Sequence, residues 1–179
     1  MKKFFLFLIM LMPFSVMAQE DGVEKKMTKF EEFSSKTGTI IRFEDYSLPK
    51  LQFLETGIRV IEGNATKLYF YRMEKASTTT SSAKIAMIEY SDLVEINKAL
   101  VQLQNSASTD ISLKCDYLEN KFKTVDGFEV GYYVDKGSAT WFLKLERYSN
   151  STVFVRDKDA IVNGFKEAQN KIEELKNGK

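Results

Sequence analysis

The stretch Ala83–Leu103, AKIAMIEYSDLVEINKALVQL, changes its hydrophobic period part-way along. Ala83–Tyr90 reads as a β-strand. Leu93, Ile96, Leu100 and Leu103 then follow at i, i+3, i+7 and i+10, the spacing of one helix face. Ser91 or Asp92 is expected to cap this helix, since Asp92 and Glu95 have the separation of a capping box. The helix is expected to end in the polar stretch Asn105–Thr109. A second strand-to-helix junction occurs at Arg156-Asp157-Lys158. Asp157 or Asp159 opens that helix, and Ile161, Phe165, Ala168, Ile172 and Leu175 form its apolar face.

Three more strands are expected before the first junction: Thr39–Ser47, Leu51–Glu62 with a bend at Gly57, and Lys67–Lys75. Pro49 belongs at a turn or an edge, because proline cannot donate to a sheet ladder. Gly63-Asn64-Ala65 has turn chemistry. Ser112–Thr124, Phe128–Val134, Thr140–Arg147 and Thr152–Arg156 read as strands before the second junction, with Asp126-Gly127 as a hairpin signal. The chain thus predicts an α+β fold of mostly antiparallel sheet, with two helices covering it. Four strands and a helix occur twice, over residues 39–106 and 111–176. That order fits a duplicated unit, and any antiparallel sheet with two covering helices would look similar.

The N-terminus is read separately. Lys2 and Lys3 precede an apolar run from Phe4 to Phe14, and Val16-Met17-Ala18 places small residues before a polar turn at Gln19. This is the layout of a secretory signal peptide, residues 1–18, cut between Ala18 and Gln19. The apolar run is short of the ~20 residues that span a bilayer. Residues 19–38 form a charged leader in which Val23, Met27, Phe30 and Phe33 allow a short amphipathic helix. Residues 39–179 are expected as one domain, exported to the periplasm or the medium.

Composition excludes several chemistries. The sequence has 179 residues, one cysteine and no histidine. His-based triads and histidine metal sites are therefore ruled out, and so are thiolate zinc cages and intrachain disulfides. Cys115 is expected as a buried small hydrophobe; the alternative is an intermolecular disulfide or a reactive thiol. The 26 basic and 25 acidic side chains are interspersed, and removing Lys2 and Lys3 leaves 24 against 25. A near-neutral domain has no electrostatic footprint for nucleic acid, so none is expected as a partner. Lys67, Arg72, Lys75 and Lys84 are the one basic set on adjacent strands. No cofactor or metal is implied, and no transmembrane segment is expected in the mature chain.

Aromatic side chains are the first candidate for binding. Tyr69, Phe70 and Tyr71 are consecutive in one strand, Tyr132 and Tyr133 in another, Trp141 and Phe142 in a third. Alternation sends neighbours to opposite faces, so each of these strands carries aromatics on both faces. Helices or a second sheet are expected to cover both faces, as a domain this size buries most large apolar groups. On the alternative reading one aromatic set lines a ligand groove, and Tyr133 and Phe142, which oppose the expected core faces, are the leading candidates, followed by Tyr69 and Tyr71. The close carboxylate pairs Glu44-Asp45, Asp116/Glu119, Asp126/Glu129 and Asp157/Asp159 are read as solvated charge. None has calcium-loop spacing.

Lys36-Thr37-Gly38-Thr39-Ile40-Ile41, Ile88-Glu89-Tyr90-Ser91-Asp92-Leu93 and Gly127-Phe128-Glu129-Val130-Gly131 together resemble small exported proteins of unknown function from Bacteroidetes-type bacteria. That resemblance implies an envelope setting and carries no functional residue. The doubled four-strand-plus-helix order is similar to the topology of Whirly-type single-stranded DNA-binding domains, which is a likeness of fold only. The expected function is non-enzymatic binding of an envelope protein or small ligand through a sheet surface. The alternatives are a carboxylate-dependent hydrolase acting on glycans and, by topology alone, a single-stranded nucleic-acid binder.

Overall fold

Turns set the registers of two four-stranded antiparallel meanders. In the computed structural model, which describes residues 26–36, 38–147 and 151–178, the first sheet runs β1 (Arg42–Leu51), β2 (Leu54–Gly63), β3 (Thr66–Lys75), β4 (Lys84–Glu89). The second runs β5 (Leu118–Lys123), β6 (Glu129–Asp135), β7 (Ser138–Lys144), β8 (Thr152–Val155). Asn64 and Ala65 join β2 to β3 with φ of 49° and 60°, and Lys136 and Gly137 join β6 to β7 with φ of 49° and 75°. Two successive positive φ values match the right-handed twist of the strands they connect. The signal segment and the Ala18–Gln19 junction lie outside the described residues. Among those described, no helix is long and apolar enough to cross a membrane.

Each sheet is followed by a helix, α2 (Tyr90–Asp110) after the first and α3 (Lys158–Lys176) after the second. The helices do not stay with their own sheets. α3 packs on β1, β2 and β3, while α2 lies against β3 and β4 of the first sheet and β5 and β6 of the second. One hydrophobic core therefore draws on both sheets, from Ile58 and Tyr71 through Leu100 and Phe165 to Val130 and Leu143. The Phe165 ring centroid lies 5.2 Å from that of Tyr71 and 5.8 Å from that of Phe128. Asn97 of α2 donates to the Phe165 carbonyl and to Gln169, which joins the two helices.

The leader supplies one further helix, α1 (Lys29–Ser34), inside the 19–38 segment. It opens on a capping box. The Thr28 hydroxyl accepts from the Glu31 N–H, and the Glu31 carboxylate accepts from the Thr28 N–H. Phe30 and Phe33 pack over Ile61 and Phe70 on the outer face of the first sheet, a small core separate from the main one.

Several expected boundaries move. Glu89, not Ser91 or Asp92, is the N-cap of α2, and its carboxylate accepts from the Ser91 N–H at 2.9 Å. The Asp92 carboxylate instead meets the Lys29 ammonium at 3.0 Å. α2 also outlasts its expected end, because buried Ala107 extends the apolar face and Asp110 accepts from the Tyr132 hydroxyl at 2.5 Å. β5 starts at Leu118 rather than Ser112, because the chain after α2 first closes turns in which the Ser112 N–H donates to the Thr109 carbonyl at 3.0 Å and the Leu113 N–H to the Asp110 carbonyl at 3.1 Å. Register runs unbroken through Gly57, where a Cβ would meet the Tyr46 carbonyl at 2.7 Å. The irregularity falls instead between Leu48 and Leu51, around Pro49, on edge strand β1. Cys115 is exposed rather than buried, since it sits between α2 and β5 where no apolar face is presented.

Candidate functional site

Strand pairing arranges the outer face of the second sheet in three rows across β5–β8. Lys123, Glu129, Lys144 and Thr152 form one, and Lys121, Gly131, Phe142 and Phe154 the next. Glu119, Tyr133 and Thr140 form the third. The inner face carries Tyr132, Trp141, Leu143 and Val155, all buried. Alternation thus sends Tyr133 and Phe142 to the outer face, as their spacing predicts.

The two residues differ in what they offer a ligand. Phe142 is only 7% exposed, with Phe154 opposite it on one side and Gly131 on the other. Gly131 is required by the approach of β5, because a Cβ there would lie 2.3 Å from the Asn120 carbonyl. Tyr133 is half-buried and meets Phe154 edge-on, at 6.2 Å between centroids. Phe154 is the exposed member, at 55%. On the first sheet, Tyr69 and Tyr71 both face the main core. Tyr69 packs against it half-buried, and Tyr71 is fully enclosed, which leaves its ring no surface for a ligand. Burial of Tyr71 follows from α3 crossing onto the first sheet, a placement that strand alternation does not encode.

The second sheet's aromatic face continues onto the first sheet. Gln52 and Phe53 form the tight turn between β1 and β2, with Gln52 at φ 58°. The Gln52 amide donates to the Phe154 carbonyl at 3.2 Å and accepts from the Arg156 N–H at 3.2 Å. These two backbone groups belong to the free edge of β8, so the side chain seals that edge as a strand would. Phe53, 50% exposed, is thereby brought to the same surface region as Phe154. A recess of about 590 Å³ lies between them, walled by Gln52, Lys75, Thr140 and Val153 among others. A second, of about 550 Å³, continues past Phe53 to Val155, Asp157 and Ala160. Both are open depressions of the surface rather than enclosed cavities.

Beside the aromatics lies a charge cluster. Glu129, 3% exposed, meets Lys121 and Lys123 at 3.0 Å each and Lys144 at 4.0 Å. Burial works to raise the pKa of Glu129. Hydrogen bonds and charge from Lys123 and Lys121 outweigh it, and the carboxyl ends below its usual value. This is an acid held ionised, unsuited to donating a proton at neutral pH.

A different cleft, of about 560 Å³, runs between α1, β4 and the start of β6. It is lined by the acids Glu31, Asp126 and Glu146 and the bases Lys26, Arg59 and Arg147. Burial raises the Asp126 pKa, although its carboxylate accepts from the Lys29 N–H at 3.0 Å. Glu31 serves the capping box and Glu146 meets Lys84 at 3.1 Å, so both have structural tasks. Three of the four basic residues named above are likewise engaged, Lys67 with Glu62, Arg72 with Glu74 and Lys84 with Glu146; Lys75 is the exception. No group of three or more acidic or cysteine side chains among the described residues is placed to hold a metal ion.

Comparison with protein families, curated proteins and solved structures finds no match to this chain.

Sequence reading missed Phe53 and Phe154. The signal for Phe154 was present, because in Thr152–Val155 the inward Val153 and Val155 leave Phe154 outward. Phe53 carries no periodic signal, since its position depends on the Gln52 clamp between two sheets.

Proposed function

We propose that this protein is a non-enzymatic binding module, exported to the bacterial envelope, that holds a ligand on the outer aromatic face of the second sheet and in the recess beside it. One observation carries the reading: half-exposed Phe53 and Phe154, from different sheets, stand on one recess of about 590 Å³. Large exposed rings that share a concavity are what a binding site retains, whereas folding alone favours their burial. Tyr133 supports the reading as the ring that fixes Phe154.

The test is a thermal-shift panel on residues 19–179 with glycans, lipids, nucleotides, divalent metals and single-stranded DNA. A ligand at 100 times its Kd adds ~2.7 kcal/mol, or roughly 5–11 °C at this size. The expected result is a shift with one class that is lost in Phe53→Ala/Phe154→Ala. A shift that survives the double substitution would place the ligand elsewhere and end the proposal.

A further inference from the structure

We infer that the ligand is a free single-chain amphiphile bearing a carboxylate or phosphate, with its apolar part over Phe53 and Phe154 and its anionic head between Lys75 and Arg156; this rests on the binding site proposed above. Charge sets this recess apart. The recess between Phe53 and Phe154 is lined by two cations, Lys75 and Arg156, and by no acid. Neither cation has a carboxylate within 4.0 Å among the described residues, whereas most cations on the sheets are paired, Arg59, Arg72 and Lys84 among them. The cleft beside α1 is balanced by contrast, with three acids and three bases.

Asp157, the one acid lining the adjoining recess, is occupied at the start of α3, where it accepts from the Asp159 N–H at 2.9 Å. The continuation past Phe53 is walled by Val155 and Ala160, so it offers room for an apolar chain rather than for further polar groups. The Arg156 backbone is fixed by the Gln52 clamp, and its side chain is exposed. Unpaired cations at the mouth of an apolar recess complement an anionic head with an apolar tail. Phe53 and Phe154 border two adjoining recesses rather than one flat apolar patch, which favours a free molecule over a bilayer.

The experiment is calorimetric titration of residues 19–179 with dodecanoate and dodecyl phosphate below their micellar concentrations. Dodecyl maltoside and dodecyltrimethylammonium serve as neutral and cationic partners of equal chain length. Anionic phosphatidylglycerol vesicles are tested by flotation. The expected result is binding of both anions, weakened at least tenfold by Lys75→Gln/Arg156→Gln and abolished by Phe53→Ala/Phe154→Ala, with weaker binding at 500 mM salt than at 50 mM. Equal binding of dodecyl maltoside, unaffected by Lys75→Gln/Arg156→Gln but lost in Phe53→Ala/Phe154→Ala, would overturn the anion and leave the aromatic site standing. Binding of dodecanoate that neither double variant changes would overturn both readings. Flotation with vesicles without binding of the free anions would overturn the free amphiphile.

Discussion

The Gln52 side-chain amide lies 3.2 Å from the Phe154 carbonyl oxygen, across a separation of 102 residues. With its second bond, from the Arg156 N–H, it is the contact that ties the β1–β2 turn of one sheet to the free edge of the other. Gln52→Ala should lower stability by about 1–2 kcal/mol, the usual net worth of two neutral hydrogen bonds. Gln52→Glu should cost more, because it replaces the donor to Phe154 with a second acceptor facing a carbonyl. Urea denaturation of the two variants checks this order. Equal stabilities for the glutamate variant and wild type would show that the amide does not seal the edge.

Glu129 gives the fold an acid-sensitive point. Its folded pKa lies below the usual 4.5, so its contribution is complete above that value and is lost as pH falls through the folded pKa. Glu129→Gln leaves Lys121, Lys123 and Lys144 clustered without their shared counter-charge. The lysines are partly solvated, which moderates the penalty to about 1–3 kcal/mol at pH 7. The gap from wild type should narrow as pH falls below 4.5. Chemical denaturation at pH 7, 5 and 3.5 measures it, and a gap independent of pH would assign the loss to packing instead.

Tyr132 acts at the alkaline end. It is fully buried, and burial first, then its hydrogen bond to Asp110, raises its pKa from 10.0 to about 12. The folded state holds this proton more tightly than the unfolded chain does. The resulting stabilisation is therefore complete below pH 10 and is lost as pH rises towards 12. Tyr132→Phe should cost about 1–2 kcal/mol at pH 7, because Asp110 loses a partner. Its alkaline decline should be shallower than wild type, so the two stability curves converge between pH 10 and 12. Curves that stay parallel would mean that Tyr132 does not titrate in this window.

Much of this architecture was legible in the sequence, because strand alternation and turn residues are local. Asn64-Ala65 and Asp135–Ser138 marked real turns, and Phe128, Val130 and Tyr132 face the core as their spacing implies. Features that failed depend on distant chain. Cys115 is exposed because it lies in the connection between β5 and α2, whose end at Asp110 is held by Tyr132, 22 residues away. Tyr71 is enclosed because α3 crosses to the first sheet. Within the candidate site, the outward position of Tyr133 was legible, but the recess beside Phe154 was not, since Phe53 reaches it only through Gln52. Ellman's reagent should react with Cys115 in the folded protein without denaturant, and Cys115→Ser should leave stability within ~0.5 kcal/mol. Protection of the thiol until denaturant is added would contradict its exposure.

The leader carries the last expectation. Phe33 is 6% exposed and sits over Ile61 and Phe70, both at 0%, in a cluster that does not join the main core. Six helical residues make this contact, held at one end by Lys29, whose backbone N–H donates to Asp126 and whose ammonium meets Asp92 at 3.0 Å. A cluster so limited should open before the domain unfolds. Phe33→Ala should therefore cost about 1–3 kcal/mol, less than the ~3–5 kcal/mol typical of a phenylalanine deep in a core, because a short terminal helix can settle into the space. Hydrogen exchange separates the two regions: amides of α1 should exchange with a smaller opening free energy than those around Leu93 and Ile96 in α2. Wild-type α1 amides as protected as those of α2 would show the leader to be part of the global folding unit. In that case Phe33→Ala should approach the full core value.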